Sequence, residues 1–447
     1  MAHIVFVTYG ITSYLNASYA VAAGLRSRGH QVTYVSSLDV KTAVDAQGFD
    51  FILLEDESCL RQNPERQWLE QLPSLQRYKE RSALIKMGHK LRSYYLENDE
   101  WTEMMHRLQP DVLLIDEELP EIIIRATSLN VPMRLVQYFG GTRWRPGLPP
   151  LSSHLVPDGR LRTRFQIEVV WLALWVKRCL THLLAPLFYA GTDRRSIIQA
   201  IAAQTGFDYS LAEFHHWFPM TFPNIPTLTL AAPEFDFAPM TTTGEEYVGP
   251  MVWTDRVDAM DSLTAAELEA FLIQNKEQKR PLIYCSLGTF WQMDLDFLQR
   301  VVAAFQQRPE WDLVLASGPG MEMDHFAPLP DNVVVYKRVP QLTVLEQADV
   351  VLTHGGIGTI NECITFGVPM VVYSTGKLDQ NGNAARILFH NLGLRGKIDE
   401  TPSSISTKIA EILEKPRFRA NVERMQTIYG RYQTDNRAVE LIESLLP

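Results

Sequence analysis

VPQLTVLEQADVVLTHGGIGTINECITFGVPMVVYSTGKLDQNGN, residues 339–383, decides how the rest of the chain is read. Val350 to Thr353 is a short β-branched and apolar run, the pattern of a strand buried on both faces. His354-Gly355-Gly356-Ile357-Gly358-Thr359 follows, then a helical stretch ending at Gly367, then a second strand from Val368 to Tyr373. Strand, glycine-rich turn, helix and strand make the unit of a parallel α/β sheet. The glycines let backbone N–H groups approach a ligand, and the first helical turn offers unpaired donors with a partial positive charge. His354 adds a donor beside them. The group suits a phosphate or diphosphate, although a plain strand-to-helix turn uses the same glycines.

The same rhythm extends upstream. Pro281 to Ser286, Trp311 to Ala316 and Val333 to Tyr336 read as strands with helices between them. In the opening half, strands are expected at Ile4–Thr8, Gln31–Ser36, Phe49–Leu54, Asp111–Ile115 and Val131–Gln137, with a helix from Asn16 to Arg28 stopped by Gly29. Residues 140–240 break the alternation, and Ala231 to Asp261 reads as a Pro-, Thr- and Gly-rich connector. The fold class is therefore α/β: two Rossmann-like doubly wound domains facing across a cleft. The expected division is 1–240, with an apolar helical insert at about 140–220, then 241–430, then a C-terminal helix in 431–447 packing back on the first domain.

Composition narrows the partners. The 447 residues carry 42 Lys and Arg against 52 Asp and Glu, a net charge of −10, which argues against nucleic acid. The four cysteines, Cys59, Cys179, Cys285 and Cys363, are scattered, so neither a disulfide framework nor a structural zinc site is expected. That usage suits a reducing cytoplasm. MAHIVFVTYG lacks a basic leader and reads as the first strand.

The insert between Arg164 and Gly191 holds the most lipid-like runs, VVWLALWV and CLTHLLAPLFYAG, divided by Lys177 and Arg178. Neither run reaches the roughly 18–20 residues of a membrane span. It reads as a helix pair packed in the core of the first domain. The sharper alternatives are an apolar acceptor wall, with His215, His216 and Trp217 near it, or a peripheral membrane patch with basic flanks.

Residues 339–383 resemble the donor signature of the family-1 nucleotide-sugar glycosyltransferases, whose fold is the two-domain arrangement called GT-B. Pro340-Gln341, His354, Gly356, Thr359, Glu362, Gly367-Val368-Pro369-Met370 and Asp379-Gln380 occur in the family's order. Tyr247–Pro250 and the Ser286–Thr289 turn extend the likeness. The resemblance implies that Gln341 binds the nucleobase and Glu362 the ribose hydroxyls. It gives His354 and Thr359 to the diphosphate, beside the Gly356 and Gly358 backbone that the turn itself presents, with Ser286 or Thr289 reaching it from the facing turn, and Asp379 and Gln380 to the sugar. Arg338 stands where the family stacks a Trp on the base; a guanidinium can stack there too. For Glu362 a solvated helix face, for Asp379 a helix cap and for Ser286 a tight-turn residue are the plain alternatives.

The first domain departs from the family. Aligned through Arg28-Gly29-His30, the position of the usual catalytic His holds Tyr14, and His30 is not the base. Asp116, at the end of DVLLI, is the expected base, with Tyr14 orienting the acceptor or the carboxylate; Glu117 or Glu118 is the alternative. No metal motif is present, and the resemblance implies a metal-independent reaction with no cofactor beyond the donor. The expectation is an inverting transferase moving a hexose, glucose first, from a UDP-sugar to an apolar hydroxylated acceptor. The rivals are a nucleotide-sugar-binding auxiliary protein without its own transferase activity and a nucleotide-sugar epimerase. A dehydrogenase is disfavoured by TYGITSYLN after the first strand.

Overall fold

The protein is described from a computed structural model, covering residues 1–54, 64–213, 215–238, 245–258, 260–288, 295–318, 320–321, 323–326 and 328–446. Thr289 and Cys59 lie outside the described residues.

Two parallel sheets organise the chain. The first contains β1 (His3–Thr8), β2 (Gln31–Ser36), β3 (Asp50–Leu53), β4 (Val112–Asp116), β5 (Met133–Gln137), β6 (Thr227–Thr229) and β7 (Glu245–Tyr247), in the order β3-β2-β1-β4-β5-β6-β7. The second contains β8 (Leu282–Ser286), β9 (Asp312–Ala316), β10 (Val333–Tyr336), β11 (Val350–Thr353), β12 (Met370–Val372) and β13 (Gly393–Arg395), in the order β10-β9-β8-β11-β12-β13. Both faces of each sheet are covered, which is why the strands are apolar without alternation. Ile4 and Phe6 enter one core with Leu114, while Val5 and Val7 enter the opposite core with Leu113 and Ile115.

The strand order reverses between β1 and β4, and again between β8 and β11. Ligand crevices open at such switch points, beyond the carboxyl ends of the strands. Thr8 and Asp116 end one pair; Ser286 and Thr353 end the other and are register partners. The two ends face each other. Helix Thr12–Ser27 packs on helix Ile357–Thr365, and a Cβ added to Gly358 would stand 3.3 Å from Ser13 Cβ. The contact continues where Gly382 N–H donates to Leu151 O at 2.7 Å.

Three expectations are revised. β7 belongs to the first sheet, so that domain runs past residue 240. The apolar insert is not a buried helix pair: Leu161–Tyr189 is one 29-residue helix, and only Ile167 and Trp171 in it are buried. Lys177 and Arg178 do not break it, because charged straight-chain residues are good helix formers. Arg178 instead reaches the carbonyls of Phe218 and Pro219 at 3.0 and 3.1 Å. The first helix starts at Thr12, ahead of Asn16. At the C-terminus, helix Arg437–Glu443 lies on the first domain: Val439 and Ile442 join its core, and His30 Nε2 pairs with Glu443 at 3.1 Å. Among the described residues no helix is long and apolar enough to cross a membrane.

Candidate active site

At the second switch point, β11 delivers His354 into the cleft. Gly355 adopts φ +90°, which glycine tolerates, and Gly356 N-caps helix Ile357–Thr365 with no side chain of its own to cap it, the Ile357 amide donating to the Asp379 carboxylate instead. The His354 ring is closely held. A Cβ on Gly288 would come 2.8 Å from its Cε1, and one on Gly356 2.6 Å from its Nε2. Burial lowers the imidazole pKa to about 4, so it is neutral at pH 7, and buried Nδ1 has no partner. Ser286 ends the neighbouring strand β8, half-buried; Thr359 lies half-buried in the first turn of the helix.

Glu362 is not a solvated helix-face residue. Its carboxylate is paired with Arg256 at 2.7 Å, and the two side chains are 5% and 4% exposed. Gln341 Nε2 also donates to Glu362, while Gln341 Oε1 accepts from Tyr284 at 3.0 Å. Expected base and ribose contacts are therefore neighbours, one hydrogen bond apart. Arg338 is exposed beside them in sequence. Arg256, which Asp258 also holds at 2.8 Å, comes from the connector, where no motif announces it.

Asp379 and Gln380 open the buried helix Gln380–Phe389. Asp379 occupies the N-cap position without capping the helix; Asn383 donates to it at 2.5 Å. Burial raises its carboxyl pKa to about 6. Gln380 Oε1 accepts from the Thr375 amide and hydroxyl at 2.9 and 2.8 Å.

Across the cleft, Asp116 is 2% exposed and held by three donors. Tyr138 donates to one oxygen at 2.6 Å; the Tyr9 amide and Thr8 hydroxyl donate to the other at 2.7 and 2.9 Å. Burial still dominates and raises its pKa to about 7. Tyr14 does not bond Asp116. Its hydroxyl donates to Glu118 at 2.7 Å, and its ring stacks on Tyr138 with centroids 4.1 Å apart. Burial, and then the charges of Glu118, Asp116 and Asp379, hold the Tyr14 hydroxyl protonated. Tyr14 is a donor and not a base. The Asp379 carboxylate of the second domain is the weakest of these charges, and its field reaches Tyr14 across the cleft. Glu118 is less buried than Asp116, and burial raises its pKa too.

An aromatic wall runs outward from this pair. Phe139 meets Tyr14 edge-on at 5.9 Å and Trp217 at 5.7 Å; farther out, Trp171 of the long helix meets His216 at 4.4 Å. Burial lowers His215 to about 3 and His216 to about 4, so both are neutral and add to an apolar lining. Among the described residues, no cluster of three His, Cys, Asp or Glu could hold a metal ion.

Residues 312–430 match the family model of the erythromycin biosynthesis protein CIII-like C-terminal domain. That stretch resembles an EryCIII-like C-terminal domain, and the whole chain has the GT-B fold. A demethyllactenocin mycarosyltransferase of Streptomyces fradiae is 33% identical over 176 residues, 39% of this chain and 37% of that protein. The chain thus aligns with less than half the length of that relative. The 4'-demethylrebeccamycin synthase of Lentzea aerocolonigenes is 23% identical over 461 residues, covering 100% of both. The structure of CalG4, the calicheamicin glycosyltransferase, superposes with a TM-score of 0.63 at 18% identity, covering 100% of this chain and 98% of that one. The EryCIII-like region contains His354, Glu362 and Asp379 but none of the Tyr14–Glu118 side of the cleft.

Proposed function

We propose that the protein is a glycosyltransferase that moves a hexose from a nucleoside diphosphate to a hydroxyl of an apolar natural-product aglycone, with inversion. The observation that carries this reading is the meeting of the His354–Thr359 turn with the Tyr14–Glu118 pair at the carboxyl ends of the two sheets. UDP-glucose is the proposed donor. Thymidine diphosphate hexoses are the comparison, because exposed Arg338 replaces the base-stacking Trp of the resembling family.

Glu118, and not Asp116, is the proposed base. Asp116 has both oxygens engaged and is enclosed, whereas Glu118 keeps one oxygen beyond its bond to Tyr14. Glu118 takes the acceptor's hydroxyl proton as that oxygen bonds the anomeric carbon. The C1–O bond to the diphosphate breaks on the opposite face, and its electron pair leaves with the nucleotide. The first turn of helix Ile357–Thr365, with neutral His354 and Thr359, receives that charge. No metal or separate cofactor enters the proposed reaction. The aromatic wall from Tyr14 to Trp217 takes the acceptor's apolar body.

The test is UDP release from UDP-glucose across a panel of apolar hydroxylated acceptors. Release that depends on acceptor supports the proposal. Donor binding with no turnover on any acceptor favours the nucleotide-sugar-binding protein without transferase activity.

A further inference from the structure

The long helix Leu161–Tyr189 has two apolar stripes, and only one of them is used. The seated stripe contains Ile167, Trp171, Leu174 and Arg178, facing the domain; Trp171 Nε1 donates to Leu148 O at 2.8 Å. Displaced by two residues, and so roughly opposite on the cylinder, lies a second stripe. It runs Leu161, Phe165, Val169, Leu172, Val176, Leu180, Leu183, Leu187, with every member exposed, from 40% for Val176 to 84% for Leu161. The spacing repeats 4-4-3, an eleven-residue period of about 3.67 residues per turn, so the stripe runs nearly straight along the helix. A helix of this length extends for about 43 Å.

We propose that this outward face is a self-association surface, on which a second copy of the chain docks with its own helix antiparallel. The stripe is nearly symmetric about its midpoint at residue 174. Leu161 therefore meets Leu187 of a second copy, Phe165 meets Leu183, Val169 meets Leu180 and Leu172 meets Val176. A twofold interface requires such self-complementarity. Charge sets the direction. The exposed charged residues of this helix are Arg162, Arg164 and Lys177, with no exposed carboxylate, and its last turn has no basic residue. Antiparallel docking brings Arg162 and Arg164 to the negative carbonyl end of the partner helix; parallel docking would set the arginine ends against each other.

Area and net charge favour the same occupant. The eight side chains, with Trp175 and Leu184 beside them, expose on the order of 1,000 Å² per copy, enough for a standard interface of about 800 Å² per partner and above the usual largest exposed patch of a monomer. An anionic bilayer is the competing occupant for an apolar stripe with basic flanks, but a chain of net charge −10 is repelled from it as a whole.

Light scattering on the eluting protein, at tens of micromolar, reads the oligomeric mass. The expected result is twice 51.0 kDa for the wild type. The double variant Leu172→Glu, Val176→Glu should run at the monomer mass with an unchanged circular dichroism spectrum, because both positions are exposed. Orientation is read by oxidation in a Cys179→Ser background. Phe165→Cys with Leu183→Cys in one chain should give a covalent dimer, whereas Phe165→Cys alone should not, its two copies lying about 27 Å apart along the helix. A monomeric wild type overturns the proposal, as does a double variant that folds and stays dimeric. A monomer that floats with phosphatidylserine vesicles overturns it in favour of the bilayer.

Discussion

Replacing Glu118 with Gln separates chemistry from scaffolding in the first domain. Gln is the same size as Glu and keeps a carbonyl oxygen for the Tyr14 hydroxyl, now 2.7 Å from Glu118. The loss to the fold is one weakened charge-assisted hydrogen bond, about 1 kcal/mol. The loss to the reaction is the general base, typically ~10²–10⁴-fold in rate. The KM for donor should hardly move, because His354, Gln341, Glu362 and Asp379 lie across the cleft. Asp116→Asn should behave oppositely. Its carboxylate holds three donors, and an amide leaves one of them badly matched, costing about 1–3 kcal/mol of stability. The assay is initial-rate UDP release with saturating acceptor, beside thermal melting of each variant. The wild-type kcat/KM should rise with pH through the raised pKa of Glu118 and lose that limb in Glu118→Gln. A Glu118→Gln variant keeping more than a tenth of wild-type kcat, with Asp116→Asn inactive yet fully folded, would refute the assignment and return the base to Asp116.

Arg256→Met strips the partner from a carboxylate that is 5% exposed; removing half of such a buried pair costs about 3–5 kcal/mol, and the melting temperature should fall accordingly. Gly382→Ala drives a Cβ to within 2.2 Å of Leu151 O, where the domains touch, and should lower the melting temperature and weaken protection of the Gly382 amide in hydrogen exchange. Asp116 and Glu117, raised by burial to about 7 and about 8, keep protons in the folded chain that the unfolded chain has lost. Stability should therefore fall by about 1–2 kcal/mol between pH 7 and 8.5, measured by denaturant titration. The buried histidines, lowered to about 3–4, act at lower pH and contribute little in that window. Glu117→Gln should remove most of the slope, since one buried Glu117 oxygen has no partner.

What could be read in the sequence was local. Runs such as Ile4–Thr8 and Val350–Thr353 are apolar without a break because both faces are buried, so the runs themselves placed these strands, and their alternation with helices gave the doubly wound class. The three-residue strands β6, β7 and β13 carry too few residues for any period, and β7 moved the domain boundary. Lys177 and Arg178 suggested an interruption in the insert, yet Arg178 satisfies carbonyls 40 residues away and the helix runs on. Side-chain partnerships across long separations left no trace. Arg256 with Glu362, 106 residues apart, and Arg386 with Asp236, 150 apart, are fixed by how elements meet. Tyr138 was accessible in principle: it directly follows β5, at the end of a sheet that faces the crevice. The proposal of Glu118 over Asp116 rests on which carboxylate the surrounding donors enclose, and neighbouring positions in a sequence do not reveal that.

The most direct measurement is a proton NMR time course with α-linked UDP-glucose and one apolar hydroxylated acceptor, following UDP and the anomeric proton of the product together. The account predicts equimolar UDP and β-glycoside, both dependent on acceptor. UDP appearing equally fast without acceptor, or an α-glycoside as the product, would contradict it.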